Sequence, residues 1–479
     1  MNRRQFLTRS LQLSAGVALT TGLAPAASAA EGATPRRRSK PARGPLRVCT
    51  ANPRYFTDGS GRALYLTGAH TWPNVVDIGP SDPPPRFDFD GFLDFQQRHG
   101  HNFIRLWTWE CMKWNTAGND QKQLHTAYPH PWARTGGGQA VDGKPRFDLA
   151  QFDPEYFQRV RARVKAARHR GIYTSVMLFE GWAMQHAPGA WAHHPFHPRN
   201  HINGLTVEAD GDANGLELYT LKNPAVTAVQ EAYVRTAIET VNEFDNVLYE
   251  ISNENHPGST EWQYHSIRFI KSEEAKRRKQ HPVGMTFQYK GGKNQALFDS
   301  PADWISPNPD GGYKDNPPVA DGRKVILNDT DHLWGLGGEV AWVWKSFLRG
   351  MNVLFMDPYD RTVLKQDPES KWEAIRRNLG YTRRYAERVD LTAMTPQPDL
   401  ASSGWCLANA SAKKAEFLIF APAPGQVTVN LATTRRRLNV EWFNPATGET
   451  TPGQAIEGGG SVELAAPFGG DAVVYLSGK

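Results

Sequence analysis

The stretch Asn246-Val247-Leu248-Tyr249-Glu250-Ile251-Ser252-Asn253-Glu254 decides the fold. Its apolar, partly β-branched run reads as a buried strand, and Asn253 and Glu254 follow where that strand opens into a loop. A helical pattern over residues 225–244 leads into it. The same alternation of short apolar runs and helical stretches continues on both sides, from about residue 60 to 390. Strands are expected at 64–67, 103–108, 173–178, 247–252, 283–287, 304–306, 325–328 and 353–356. Further helices are expected at 154–169, stopping before Gly171, and at 342–350. Eight βα units over some 330 residues fit a (β/α)8 TIM barrel. A doubly wound sheet would carry a Gly-rich phosphate loop after its first strand, and none is present.

From about residue 395 the helical period stops. Alternating segments at 416–420, 427–431, 438–442 and 472–476 are separated by turn signals such as Pro445-Ala446-Thr447-Gly448 and Gly458-Gly459-Gly460. This pattern predicts a small all-β sandwich behind the barrel. The expected organisation is a leader at 1–30, a linker at 31–44, the barrel at 45–392 and the sandwich at 393–479.

The leader resembles a twin-arginine export signal. Arg3-Arg4-Gln5-Phe6-Leu7 precedes an apolar stretch from Leu11 to Leu23, and Ala27-Ser28-Ala29 supplies small residues for cleavage. The stretch is too short and too rich in Gly, Ser and Thr to span a membrane. An exported protein is expected, periplasmic or extracellular, with no membrane span in its mature form. The net charge is +6, of which +7 lies in residues 1–44, where eight Lys and Arg face one Glu; the remainder stands at −1. The basic balance therefore belongs to the leader and linker and gives no argument for nucleic acid. Three cysteines, Cys49, Cys111 and Cys406, have neither paired nor metal spacing and read as structural.

In a barrel, the loops that follow the strands rise over the face where active sites form. The two longest, 109–150 and 182–216, are rich in Trp and His. Flat aromatic rings suit sugars. The histidines at 186, 193, 194, 197 and 201 match no zinc spacing, with no HExxH and no paired Cys, so neither metal nor cofactor is expected.

The Asn253-Glu254 pair at the end of the fourth strand resembles the acid/base motif of the large clan of retaining (β/α)8 glycoside hydrolases, which includes cellulases and mannanases. The resemblance implies a carbohydrate substrate, Glu254 as general acid/base and Asn253 as a ligand of the sugar 2-hydroxyl. It also implies that Arg105, in the strand Phe103-Ile104-Arg105-Leu106-Trp107, keeps the nucleophile ionised. Strand seven departs from the clan. Val325-Ile326-Leu327-Asn328-Asp329-Thr330-Asp331-His332 has no Glu where the nucleophile is expected. Aligning the apolar core puts Asp329 there, with Asp331, two residues on, as the nearest alternative. The shorter Asp leaves retention and inversion both open. His70, Trp72, Trp182, Gln288, Tyr313 and Asp357, at or just beyond other strand ends, are candidate cleft residues. The missing Glu also leaves open a non-catalytic carbohydrate-binding protein on a degenerate barrel. Val440 to Glu449 and Phe468 to Val474 resemble the collagen-binding-type module found behind glycosidase-like barrels. Its expected role is to pack against the barrel and stabilise it.

Overall fold

The computed structural model describes residues 40–115, 124–187, 189–207, 211–359, 364, 370–411 and 413–478. The expected leader at 1–30 lies outside them.

Eight parallel strands form the barrel wall. They are β1 (Thr67–His70), β2 (Phe103–Leu106), β3 (Tyr173–Glu180), β4 (Val247–Asn253), β5 (Val283–Thr286), β6 (Trp304–Ser306), β7 (Val325–Asp329) and β8 (Asn352–Met356). Neighbours run in chain order from β2 to β8, and β1 pairs with β8. At the remaining seam β1 meets β2. Asn102 N–H donates to the Thr67 carbonyl at 2.9 Å. Gly68 passes so close that a Cβ would lie 2.1 Å from the Phe103 carbonyl oxygen, which explains a glycine there. Every residue of these strands is buried, as expected of a parallel sheet covered on both faces.

The first strand lies three residues later than its apolar run suggests. Leu64 forms a β-bridge with Phe56, and Leu66 N–H bonds Asn352 Oδ1 at 2.8 Å. Pairing with β8 starts at Thr67 and carries through to His70.

The barrel helices are α1 (Phe89–Arg98), α2 (Pro154–His169), α3 (Pro224–Val241), α4 (Thr260–Ala275), α5 (Asn294–Asp299), α6 (Val340–Leu348) and α7 (Ser370–Arg388). Local chemistry explains the starts of α2 and α3. Asp153 caps α2 through Glu155 N–H, and Asn223 caps α3 through Ala225 and Val226 N–H, each with Pro in the first turn. Residues 307–324 join β6 to β7 through turns in place of a helix.

Behind the barrel, β9 (Thr395–Pro396), β10 (Cys406–Asn409), β11 (Glu416–Ala421), β13 (Arg437–Phe443), β14 (Thr450–Glu457) and β16 (Ala472–Gly478) form an antiparallel sheet, while β12 (Gln426–Asn430) pairs with β15 (Ser461–Ala465). The chain is thus a TIM barrel followed by a β domain. Phe443 joins the two layers. Its buried ring meets Trp344 of α6 at 5.6 Å and Tyr381 and Tyr385 of α7 at 5.1 and 5.5 Å. The three cysteines are buried and unpaired. No described helix is long and apolar enough to cross a membrane.

Candidate active site

The site forms around one side chain on β2. Arg105, 1% exposed, has five N–H donors, and each has an acceptor. Nε and Nη2 clasp Glu250 of β4 at 3.0 and 2.6 Å. Nη2 also reaches Asn253 Oδ1 at 2.6 Å. Nη1 bonds Asp329 at 3.1 Å and Asp331 at 3.0 Å. One buried guanidinium therefore draws together the ends of β4 and β7.

The two aspartates are not equivalent. Asp329 is fully buried and fully engaged. It accepts from His70 Nε2 at 2.9 Å and caps the helical turn Thr330–Trp334 through Asp331 N–H at 3.1 Å. Trp107 Nε1 donates to His70 Nδ1 at 2.9 Å, so the His70 proton sits on Nε2 and points at Asp329. Burial opposes ionisation of Asp329, but His70 and Arg105 outweigh it and hold the carboxyl below the usual range. Asp331 lies past the strand, in the helical turn. It is 8% exposed, and burial pushes its pKa up to about 6 against the pull of Arg105. Asp331, Glu254 and His332 each bring one polar atom within 4.8 Å of the others. The carboxylate that faces Glu254 is therefore Asp331.

Glu254 is 7% exposed. Burial, reinforced by the charge of Asp331, raises its pKa well above the carboxylate norm. Its backbone is left-handed, with φ at 44°. Asn253 Oδ1 takes bonds from Arg105 and, at 3.2 Å, from His332 Nε2. Its amide nitrogen has no hydrogen-bond partner among the described residues. Burial pushes the His332 pKa well down. Ser306 Oγ lies 2.6 Å from His332 Nδ1, so the neutral ring accepts from Ser306 and donates to Asn253. With both ring nitrogens engaged, His332 has no lone pair for a cation, and Glu254, Asp331 and His332 suit a metal poorly.

Aromatic rings wall one side. Trp72, 7% exposed, lies 5.1–6.1 Å from Trp107, Trp109, Trp114 and Trp182 between ring centroids. Trp182 stacks on His186 at 4.1 Å. The side chains of two other candidate cleft residues have protein partners of their own. Gln288 bonds Thr260 Oγ1 at 2.9 Å. Asp357 is clasped by Arg376 at 2.6 and 2.8 Å. Tyr313 is buried and supplies a backbone carbonyl to Trp342 Nε1 at 2.9 Å. Glu250, His332 and Gln185 join the site without having been singled out from sequence. Of these, Glu250 had a signal, as a charged residue within an apolar barrel strand.

Solved glycoside hydrolases superpose on this architecture. One, described as a glycoside hydrolase, aligns with a TM-score of 0.61 at 11% identity, covering 91% of this chain and 97% of its own. Another, a family 5 glycoside hydrolase from Bacteroides vulgatus, aligns at 0.58 and 12% identity, covering 91% and 95%. The fold is that of these glycosidase barrels. A family profile described as a domain of unknown function, DUF6298, matches residues 119–298. That span includes Glu254 and stops before Asp329 and Asp331. No curated protein matches the sequence.

Proposed function

We propose that the protein is an exported, retaining glycoside hydrolase, with Glu254 as general acid/base and Asp331 as nucleophile. The observation that carries this is that one carboxyl oxygen of Glu254 lies within 4.8 Å of one of Asp331. Roughly 5 Å between the carboxyls suits double displacement, whereas inversion needs roughly 6.5–9.5 Å to admit a water. Asp331 attacks the anomeric carbon while Glu254 protonates the departing oxygen. Glu254 then takes a proton from the water that cleaves the glycosyl–Asp331 ester. Arg105 keeps Asp331 anionic, and the free amide nitrogen of Asn253 is available to the sugar 2-hydroxyl. Asp329 orients this constellation through His70 and Arg105 without touching substrate. Trp72 and Trp182, the least buried of the clustered tryptophans, suit contact with a sugar ring, and the twin-arginine-type leader supports export in folded form.

Proton NMR of the first-formed product, from whichever glycoside of a panel is cleaved, is expected to give the anomer of the substrate. The opposite anomer would overturn Asp331 as nucleophile. Binding of a glycan with no release of reducing sugar would instead favour the non-catalytic alternative.

The pH profile follows from the same two groups. Asp331 must be ionised, so kcat/KM is expected to rise with pH through about 6. Glu254 must be protonated, so activity falls again at higher pH as that proton is lost. Because the two carboxyls interact, both limbs belong to the pair. A flat profile down to pH 4 would exclude Asp331.

A further inference from the structure

We infer that Gln185 is a positioning residue for Glu254, because its side-chain amide holds the carbonyl of the one site residue whose backbone is left-handed. This rests on Glu254 being the acid/base. Left-handed backbone is unfavourable for a residue with a Cβ and persists where surrounding contacts over-determine it. Glu254, at φ 44°, is fixed on both sides of its Cα. Its N–H donates to Thr286 Oγ1 of β5 at 3.3 Å. Its carbonyl accepts from Gln185 Nε2 at 2.9 Å. The next carbonyl, of Asn255, accepts from Tyr289 N–H at 3.0 Å.

Gln185 is itself anchored. It sits on the short helix Trp182–His186 after β3, and its Nε2 also reaches the Gly181 carbonyl at 3.0 Å. Glu180 ties down the start of that helix through Trp182 and Ala183 N–H at 2.6 and 3.1 Å. Lys290 Nζ holds its end through the Gln185 carbonyl at 2.7 Å. Gly181 lies so close to Asn255 that a Cβ would stand 2.4 Å from the Asn255 Cγ, so the β3 loop rests directly on the β4 loop. The loops after β3 and β5 thus meet over the backbone of the acid/base. Loss of the Gln185 amide leaves the 254–255 peptide free to turn and carries the carboxyl away from the glycosidic oxygen.

The variants to compare are Gln185→Ala and Gln185→Met, the second keeping side-chain length without a donor. For the sugar that wild type cleaves fastest, kcat/KM is expected to fall about 30-fold on an alkyl glycoside, since misplacements near 1 Å cost about 100-fold. It is expected to fall less than threefold on the 2,4-dinitrophenyl glycoside, whose leaving group needs no acid. Equal losses on both substrates, or no loss on either, would overturn the assignment. Crystal structures of the two variants give a readout independent of turnover. Glu254 is expected to leave the left-handed region, and an unchanged φ in both would overturn it. Glu254→Gln, run in parallel, separates the two ideas. If it leaves activity intact, the acid/base assignment falls and takes this inference with it. If it abolishes activity while Gln185 proves inert, only the positioning role falls.

Discussion

Glu254→Gln is expected to lower turnover of glycosides with poor leaving groups by roughly 10³- to 10⁴-fold, near the upper end for loss of a positioned general acid/base. Gln keeps the shape and removes the transferable proton. A 2,4-dinitrophenyl glycoside still enters the first step, because its departing oxygen needs no proton. The glycosyl–enzyme then accumulates for want of a base to activate water. Added azide, which needs no base, is expected to release it as a glycosyl azide of unchanged anomeric configuration. Near wild-type rates on poor leaving groups would remove Glu254 from the mechanism. Stability moves the other way. The raised pKa of Glu254 means the folded state keeps a proton that the unfolded chain loses above about 4.3. Wild-type stability therefore declines as pH rises from the unfolded value toward the folded one. Gln does not titrate, so the thermal midpoint of Glu254→Gln is expected to exceed that of wild type by more at pH 8 than at pH 4.

Asp331→Ala is expected to cost about 10⁵-fold in kcat, since loss of a nucleophile removes the covalent route itself. Azide fits the space vacated by the side chain and is expected to restore activity, giving a glycosyl azide inverted at the anomeric carbon. A 2-deoxy-2-fluoro glycoside with an activated leaving group should label wild type on the peptide that contains Asp331. Asp329→Asn is the contrasting variant. It removes a buried anion from between His70 and Arg105, so its main expected effect is a loss of stability of about 3–5 kcal/mol, read by denaturant titration. Azide would not rescue it. Rescue of Asp329→Ala in place of Asp331→Ala would exchange the two roles.

The barrel was legible because most of its strands are apolar runs and two of the intervening helices announce their starts with a capping residue and a proline. Asp153-Pro154 and Asn223-Pro224 announce α2 and α3 in four residues. The displaced first strand was not legible, because Leu64 looks like any strand residue until Phe56 is seen beside it. Counting strands brought Arg105, Asn253, Glu254 and His70 to one end of the barrel, since position along a strand decides which rim a side chain occupies. Asp329 and Asp331 could not be separated that way. An Asp at the end of an apolar strand fits a nucleophile, and it fits equally well the cap of a helical turn. Which role it takes depends on His70, 259 residues away along the chain. Gln185 and His332 were illegible for a related reason. Each acts through a partner brought near only when the barrel closes, 69 and 79 residues distant respectively.

The saturated guanidinium of Arg105 also bears on how such a site can change over descent. Its five donors serve four residues on two strands or their ends, so loss of any one of those acceptors leaves a buried donor of Arg105 unmet. Lys at 105 offers three donors from a single point and leaves at least two of the five acceptor contacts unmet. Asp331→Glu would push a longer arm into a space measured for a shorter one. A substitution at Arg105, Glu250, Asn253, Asp329 or Asp331 thus leaves a buried donor or acceptor of the cluster unmet, so an exchange of Asp for Glu at the strand-seven end calls for adjustment of several of them together.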